Sequence, residues 1–329
     1  MEIKHREFLK QSAHTCHAST ICFFKDKPIY SYFAGSREGM PDCAIYIHFD
    51  DKVISIGGKD AMPRWNPVLF PYEDKLFLFI KVGIYCDRWA SLIYNLSNIF
   101  DDDFDINKIS PQILPAGLNG PVKTKPIICS NGMVYCGSSV ETILSWDSCV
   151  EIYKVSKDGE FKIHSRSNPI SVPKQIYTDE YGRKARTLGI IQPSLYLDKN
   201  NDLNAFFRSS RGLGKVYYSK NFSREENLWT KPEPTKFENP SASVDTVFTD
   251  GRLFLVYNPS STSRCPLVLS ELDEGFNEKD KLVIREGIDE KDVTYSPELS
   301  YPFLIENKGD LYLSYSYGRR KIETLRISI

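Results

Sequence analysis

The chain has 329 residues, with 42 Lys and Arg against 43 Asp and Glu. This balance excludes a nucleic-acid binder held by bulk charge, and no apolar run reaches the roughly 18–20 residues of a membrane helix. The charged first residues predict no signal peptide, and eight scattered cysteines without a CxxC pair predict no zinc site. We expect a cytoplasmic protein with reduced thiols, although a secreted protein that had lost its leader would look the same.

Six segments of the chain repeat one plan. Each opens with a polar residue, continues as a short apolar strand, turns at Asp, Asn, Lys or Gly, and ends in a second apolar or aromatic strand. In four segments a proline follows the opening residue. This pattern is typical of a β-hairpin. The opening residues, in chain order, are His17, Asn66, Lys125, Gln192, Asp245 and Tyr301.

The spacing of the hairpins indicates the architecture. They begin about 50 to 70 residues apart, the range of four-stranded propeller blades. A further β-like run follows most hairpins, as at 43–49 and 266–272, and no long amphipathic helix is evident. We therefore predict an all-β, six-bladed β-propeller. Because no segment reads as a linker, residues 1–329 are expected to form a single domain.

A propeller of this kind would gather polar side chains at one mouth. A hairpin returns the chain to the face that it left, so opening and closing residues share a face. All six opening residues can form hydrogen bonds. The closing residues are Arg37, Lys81, Glu141, Arg208, Asn258 and Arg319.

Several runs resemble a known superfamily. They are HAST (17–20), SREGMPD (36–42), WNPVLF (65–70), GPVKTKP (120–126), IQPSL (191–195) and SYP (300–302). Together with degenerate Asp-box turns such as Ser156–Gly159, they resemble the sialidase-like BNR/Asp-box propellers, in particular the exo-alpha-sialidase-like branch. The resemblance covers roughly residues 14 to 328. It implies a sialidase-like six-bladed fold and a site for an acidic sugar.

The resemblance also implies roles for individual residues. Sialidases hold a sugar carboxylate with three arginines, protonate the leaving group with an aspartate, and attack with a tyrosine that a glutamate activates. Arg37, Arg208 and Arg264 resemble the arginines, and Asp42 resembles the acid. Tyr301 resembles the nucleophile, unless Ser300 is the serine that follows it in the family. In that case Leu299 takes the tyrosine's position.

Two positions depart from the family pattern. His17 stands where the first arginine is expected, and Gln192 stands where the activating glutamate is expected. Gln192 cannot take a proton, so Glu141 and Glu298 are the alternatives for that role. A neutral His17 could act as a base near neutral pH.

We therefore expect a metal-free and cofactor-free glycosidase that releases a terminal acidic sugar, with an acidic glycan or small carbohydrate as its partner. The alternatives are a uronate lyase built on His17 and Tyr301 and a non-catalytic carbohydrate-binding propeller. Core packing is the favoured role of the tryptophans at 65, 89 and 146. The further predicted substrate-binding residues are Gln192, Asp245, Asn66, Lys125 and Lys81.

Overall fold

The strands of the protein form a ring of blades. The computed structural model describes residues 1–10, 12–58 and 62–329. These described residues contain six antiparallel sheets of at least four strands, arranged as a six-bladed β-propeller, which confirms the predicted fold class. The helical segments in this part of the chain are three short 3-10 turns: Cys86–Arg88, Ile106–Lys108 and Glu290–Asp292.

The blades follow one another along the chain. The strands of the first half are β1 (Glu2–Phe8), β2 (Thr15–Phe24), β3 (Lys27–Gly35), β4 (Ala44–Phe49), β5 (Lys52–Gly57), β6 (Arg64–Tyr72), β7 (Lys75–Val82), β8 (Ala90–Asn95), β9 (Gln112–Ile113), β10 (Ile127–Ile128), β11 (Val134–Glu141), β12 (Trp146–Val155) and β13 (Phe161–Arg166). Those of the second half are β14 (Ile176–Thr178), β15 (Lys184–Arg186), β16 (Ile190–Leu197), β17 (Leu203–Ser209), β18 (Lys215–Ser223), β19 (Leu228–Trp229), β20 (Glu233–Glu238), β21 (Asp245–Thr249), β22 (Arg252–Tyr257), β23 (Leu267–Leu272), β24 (Glu278–Arg285), β25 (Leu299–Asn307), β26 (Asp310–Tyr317) and β27 (Lys321–Ser328).

Blade 1 is β2–β5, blade 2 is β6–β9, blade 3 is β10–β13, blade 4 is β16–β20 and blade 5 is β21–β24. The first strand of the chain closes the ring, because β1 pairs antiparallel with β27 and becomes the outer strand of blade 6. The small hairpin β14–β15 lies between blades 3 and 4 in the chain. Joining both chain ends in one blade leaves no gap between the first and last blades.

Tight turns connect the two inner strands of several blades. Both central turn residues have positive φ in blades 1, 5 and 6, which is the geometry of a type I′ turn. This turn matches the twist of the two strands that it joins. The residue pairs are Lys25 with Asp26, Asp250 with Gly251, and Lys308 with Gly309.

A residue with positive φ marks the start of each blade in the described part of the chain. The six residues, with φ between 41° and 61°, are Ala18, Asn66, Gly120, Gln192, Ser241 and Tyr301. A proline follows four of them, and it cannot donate to the strand ladder. In β2, β6, β16 and β25 the pairing register shifts at this point, which forms a β-bulge. In blades 3 and 5 the positive-φ residue precedes the first strand of the blade.

The six predicted opening residues stand in different relations to these positions. Asn66, Gln192 and Tyr301 have the positive φ themselves. His17 directly precedes Ala18, and Lys125 follows Gly120 within the same segment. Asp245 is the first residue of β21, as the pattern predicted.

Close packing of blade 3 against blade 4 gives a first prediction. A Cβ atom on Gly137 would lie 2.2 Å from the Pro193 carbonyl oxygen. We expect Gly137→Ala to lower the free energy of unfolding by about 1–3 kcal/mol, because one of the two backbones must move. Urea denaturation measures this. Gly287→Ala is the control, since no atom lies within 4 Å of its added Cβ; equal losses in both variants would contradict the prediction.

Candidate functional site

A cavity opens on the face where the blades begin. Its volume is about 790 Å³. Loops and strand ends from blades 1, 2, 4, 5 and 6 line it. Of the predicted closing residues, Arg37 and Arg319 are part of this lining, and none of the six opening residues is. Four arginines and two glutamates are part of this lining. The lining residues are Arg37, Glu38, Trp65, Cys86, Arg211, Pro240, Thr262, Ser263, Arg264, Tyr295, Ser296, Pro297, Glu298 and Arg319.

Glu298 organises two of the cavity arginines. Its Oε2 lies 3.2 Å from Nη1 of Arg264, and its Oε1 lies 2.8 Å from Nε of Arg319. The Ser300 hydroxyl donates to the same Oε1 at 2.7 Å. Burial lowers the pKa of Arg319 to about 10, so both guanidinium groups remain charged at neutral pH. One carboxylate thus holds two cations side by side.

Arg319 also reaches across to blade 1. Its Nη1 donates to the carboxylate of Glu38 in the loop after β3. This contact joins the last blade to the first at the edge of the cavity. Glu38 therefore engages a guanidinium that lines the cavity.

Tyr301 is almost fully buried and lies on the inner side of the arginine–glutamate pairs that line the cavity. Its hydroxyl oxygen accepts a hydrogen bond from Nη1 of Arg208 at 2.9 Å and from Nε2 of Gln192 at 3.4 Å. The Arg208 guanidinium also lies 5.1 Å from the ring centre of Trp146. Nη2 of Arg208 contacts the Ser241 hydroxyl at 3.4 Å, and Arg264 donates to the Ser241 carbonyl at 2.8 Å. Ser241 therefore connects Arg208 to Arg264, which Glu298 in turn connects to Arg319.

His17 packs against Tyr301, with 4.2 Å between the ring centres. Neither of its ring nitrogens has a hydrogen-bond partner within the described ranges. Burial holds the pKa of His17 well below its usual value, and the nearby charges of Arg319 and Arg264 act in the same direction. The imidazole is therefore neutral at physiological pH.

The predicted blade 1 residues lie in an outer loop. Arg37 lines the cavity, and its guanidinium lies 5.7 Å from the ring centre of Tyr295. Asp42 is exposed, and its two carboxylate oxygens accept hydrogen bonds from the Ser36 amide at 2.8 Å and the Ser36 hydroxyl at 2.9 Å. Asp42 is therefore hydrogen-bonded within its own loop and is not part of the cavity lining.

Two other predicted binding residues pair with each other at the centre of the ring. Nζ of Lys125 lies 2.9 Å from Oδ1 of Asp245, which also accepts from the Ser194 hydroxyl at 2.6 Å. The second oxygen of Asp245 accepts from the Leu304 amide at 2.8 Å. Lys125 lines a different cavity, of about 400 Å³, near the far ends of the inner strands. This network joins blades 3 to 6 and lies away from the arginine cavity.

The remaining predicted residues are also buried. Lys81 is fully buried, and burial lowers its pKa to about 8, while the charge of Glu151 opposes that shift. Asn66 forms the blade 2 bulge and is not part of the cavity lining. Leu299, the alternative to Tyr301, packs in the hydrophobic core between blades 5 and 6.

Sequence reasoning missed Arg319 and Glu38 as members of the site. Arg319 was recognised as the end of the sixth hairpin, which was the available signal. The family resemblance instead places its first arginine at the start of blade 1. A loop residue is placed by the ion pairs that it forms in the folded ring, and neither propensity nor periodicity records such pairs.

The described residues contain neither a metal site nor a membrane-spanning helix. No group of three or more His, Cys, Asp or Glu side chains in the described part of the chain is placed to hold a metal ion. Nor does any helix within it have the length and apolar character needed to cross a membrane.

Comparisons with known proteins agree with this architecture. A protein of unknown function from Dyadobacter fermentans superposes with a TM-score of 0.71 at 12% identity, over 99% of this chain and 98% of that one. Hadza microbial sialidase Hz136 gives 0.63 at 12% identity, over 96% and 66%, and Trypanosoma rangeli sialidase gives 0.60 at 10% identity, over 97% and 55%. The chain thus spans about half to two thirds of the length of these sialidases, and identities this low show a shared fold alone.

The sequence itself shows the family relationship. No curated protein matches the chain. A family model described as a BNR repeat-like domain matches residues 29–313, which is most of the chain. The chain therefore belongs to the BNR repeat-like family, as the resemblance of its sequence runs to BNR propellers implied.

Proposed function

We propose that the protein is a glycosidase that binds a terminal acidic sugar, a sialic acid or a related keto-sugar acid, and releases it from a glycoconjugate. The proposal rests on the arginine cavity above Tyr301. Arg208, Arg264 and Arg319 are connected through Ser241 and Glu298. A guanidinium binds a carboxylate through two parallel charge-assisted hydrogen bonds, so this set suits a carboxylated sugar.

The charge of the cavity supports an anionic ligand. Its lining contains four arginines and two glutamates, and Arg208 adds a further cation beneath them. The excess of positive charge remains uncompensated within the described residues that line the cavity. A sugar carboxylate would offset part of it and would displace Glu38 from Arg319.

Tyr301 is the nucleophile of the proposed reaction. A neutral phenol approaches an anionic sugar with less repulsion than a carboxylate would meet. Its oxygen would bond to the anomeric carbon while the bond to the leaving oxygen breaks. Its proton would pass to His17, whose neutral imidazole packs on the tyrosine ring. The donors of Arg208 and Gln192 already point at the tyrosine oxygen.

A uronate lyase is the second candidate, and His17 is the observation that favours it. Its unpartnered neutral imidazole lies beside Tyr301 and next to the arginines. Such a base could remove the proton adjacent to a uronate carboxylate, whose developing negative charge the arginines would stabilise. The double bond between C4 and C5 would form as the bond from C4 to the leaving oxygen breaks, and the Tyr301 hydroxyl would give that oxygen its proton. This reaction therefore requires no proton donor at Asp42.

Two assays run in parallel test the proposal. Release of the fluorophore from aryl glycosides of sialic acid and of related keto-sugar acids reports glycosidase activity. The ultraviolet absorbance of an unsaturated product from uronate polymers reports lyase activity. We expect fluorophore release by the wild type and its loss in Tyr301→Phe. Absorbance without fluorescence would favour the lyase, and silence in both assays would overturn catalysis.

A further inference from the structure

The predicted acid of the proposed reaction, Asp42, is poorly placed for that role. A glycosidase needs a group that gives a proton to the leaving oxygen. Asp42 is exposed, and Ser36 engages both of its carboxylate oxygens. It would have to break both hydrogen bonds to act on a sugar in the cavity. A different carboxyl group, beside the residues that contact Tyr301, suits this role better.

Glu141 is such a group, and the blade 3 hairpin determines its position. It is the last residue of β11 and pairs with Trp146 in β12. Ser139 lies two residues earlier, so its side chain and that of Glu141 project from the same face of the strand. The Ser139 hydroxyl accepts a hydrogen bond from the Gln192 amide at 2.8 Å. Glu141 therefore projects from the face that meets blade 4 beside Gln192 and Arg208.

Contacts around Trp146 agree with this placement. Trp146 pairs with Glu141 across the hairpin, and its ring centre lies 5.1 Å from the Arg208 guanidinium. Arg208 also donates to the Tyr301 oxygen at 2.9 Å. One guanidinium group therefore lies against Tyr301 and against the cross-strand neighbour of Glu141.

The carboxyl group of Glu141 is not used to hold the fold together. Its Oε1 is buried without a hydrogen-bond partner, and the carboxyl forms no ion pair with any described residue, Arg208 included. Burial raises the pKa of Glu141, while Arg208 opposes that shift. A structural glutamate would be paired, as Glu298 is with Arg264 and Arg319. A general acid needs the opposite properties, which are a retained proton and freedom from partners.

We propose that Glu141, and not Asp42, donates the proton to the leaving group. This inference rests on the proposed glycosidase function. In the first step Tyr301 bonds to the anomeric carbon, the leaving oxygen takes the bond's electron pair and the Glu141 proton, and His17 takes the tyrosine proton. In the second step water attacks the anomeric carbon, the Glu141 carboxylate takes a proton from that water, and the tyrosine oxygen leaves with the proton from His17.

Leaving groups of different basicity test this role. Glu141→Gln keeps the size of the side chain and removes the proton. A sugar alkoxide needs protonation as it leaves, whereas an aryl oxide is stable enough to leave without it. For Glu141→Gln we expect kcat/KM to fall at least about 100-fold on a disaccharide of the acidic sugar, and less than about tenfold on its aryl glycoside. Glu141→Asp, which keeps an acid, is expected to retain part of the disaccharide activity.

Asp42→Asn is the matched control, with both substrates measured. Equal losses of Glu141→Gln on both substrates, or no loss on either, would overturn the assignment. The selective loss appearing in Asp42→Asn instead would return the acid role to Asp42. A wild type that cleaves neither substrate would refute the glycosidase function itself and the proposed acid with it, which is distinguishable from failure of Glu141 alone.

Discussion

Arg208→Ala is expected to lower kcat/KM for the acidic sugar by about 10²–10³-fold, since tenfold corresponds to about 1.4 kcal/mol. Arg208 donates to the Tyr301 oxygen at 2.9 Å and contacts Ser241, which also accepts from Arg264. Hydrogen bonds to charged groups contribute about 1.5–3 kcal/mol each, and the substitution removes the bond to Tyr301 together with one that the substrate carboxylate would accept. Steady-state kinetics on the aryl glycoside measures the loss.

Arg211→Ala is the control for this experiment. Arg211 lines the same cavity, but its side chain is 75% exposed and its partner Glu180 lies 3.7 Å away at the surface. A surface ion pair of this kind contributes little, so the variant should keep kcat/KM within a few-fold. If both variants lost activity equally, general attraction of an anion by the cavity would explain the result. Specific contacts from Arg208 would not then be needed.

The hairpins were predictable because each one is a local pattern. Apolar alternation, a turn residue and a second alternating run lie within about 20 residues, and the proline after the bulge marks the start of blades 2, 4 and 6. In blade 3 two such prolines compete: Gly120 precedes Pro121, and Lys125 precedes Pro126. The positive φ lies at Gly120, where it causes no steric cost. Lys125 instead pairs with Asp245 at the centre of the ring.

The arginine cavity is only partly predictable from the sequence, because long-range ion pairs determine it. The family resemblance points to Arg208 and Arg264 as carboxylate ligands. Glu298 brings Arg264 and Arg319 together from different blades, and no local pattern encodes that meeting. Likewise, the hydrogen bonds of Asp42 to Ser36 depend on how the loop folds. The resemblance implies the acid role of Asp42 and cannot show its exposure.

Arg319 lies beside the start of blade 1, because its carbonyl oxygen accepts a hydrogen bond from the Cys16 amide at 2.8 Å. The next residue, His17, stands where the family resemblance places an arginine, and the charge of Arg319 helps to lower the pKa of its imidazole. Hydrogen bonds to Glu298 and Glu38 hold the Arg319 side chain at the cavity. We therefore expect Arg319, from the end of blade 6, to supply a guanidinium that His17 cannot, while a neutral base lies beside Tyr301.

Arg319→Ala is therefore expected to weaken binding of the free sugar acid by about 10²-fold, close to 3 kcal/mol at about 1.4 kcal/mol per tenfold. Calorimetric titration of the acid into the protein measures this. Arg320→Ala is the matched control, because its side chain has no hydrogen bond or ion pair with a described residue and does not line the cavity. Glu298 keeps Arg264 and Ser300 as partners in the Arg319 variant, so the ring should remain folded. Unchanged affinity in Arg319→Ala would leave Arg208 and Arg264 as the carboxylate ligands and restrict Arg319 to joining blades 1 and 6.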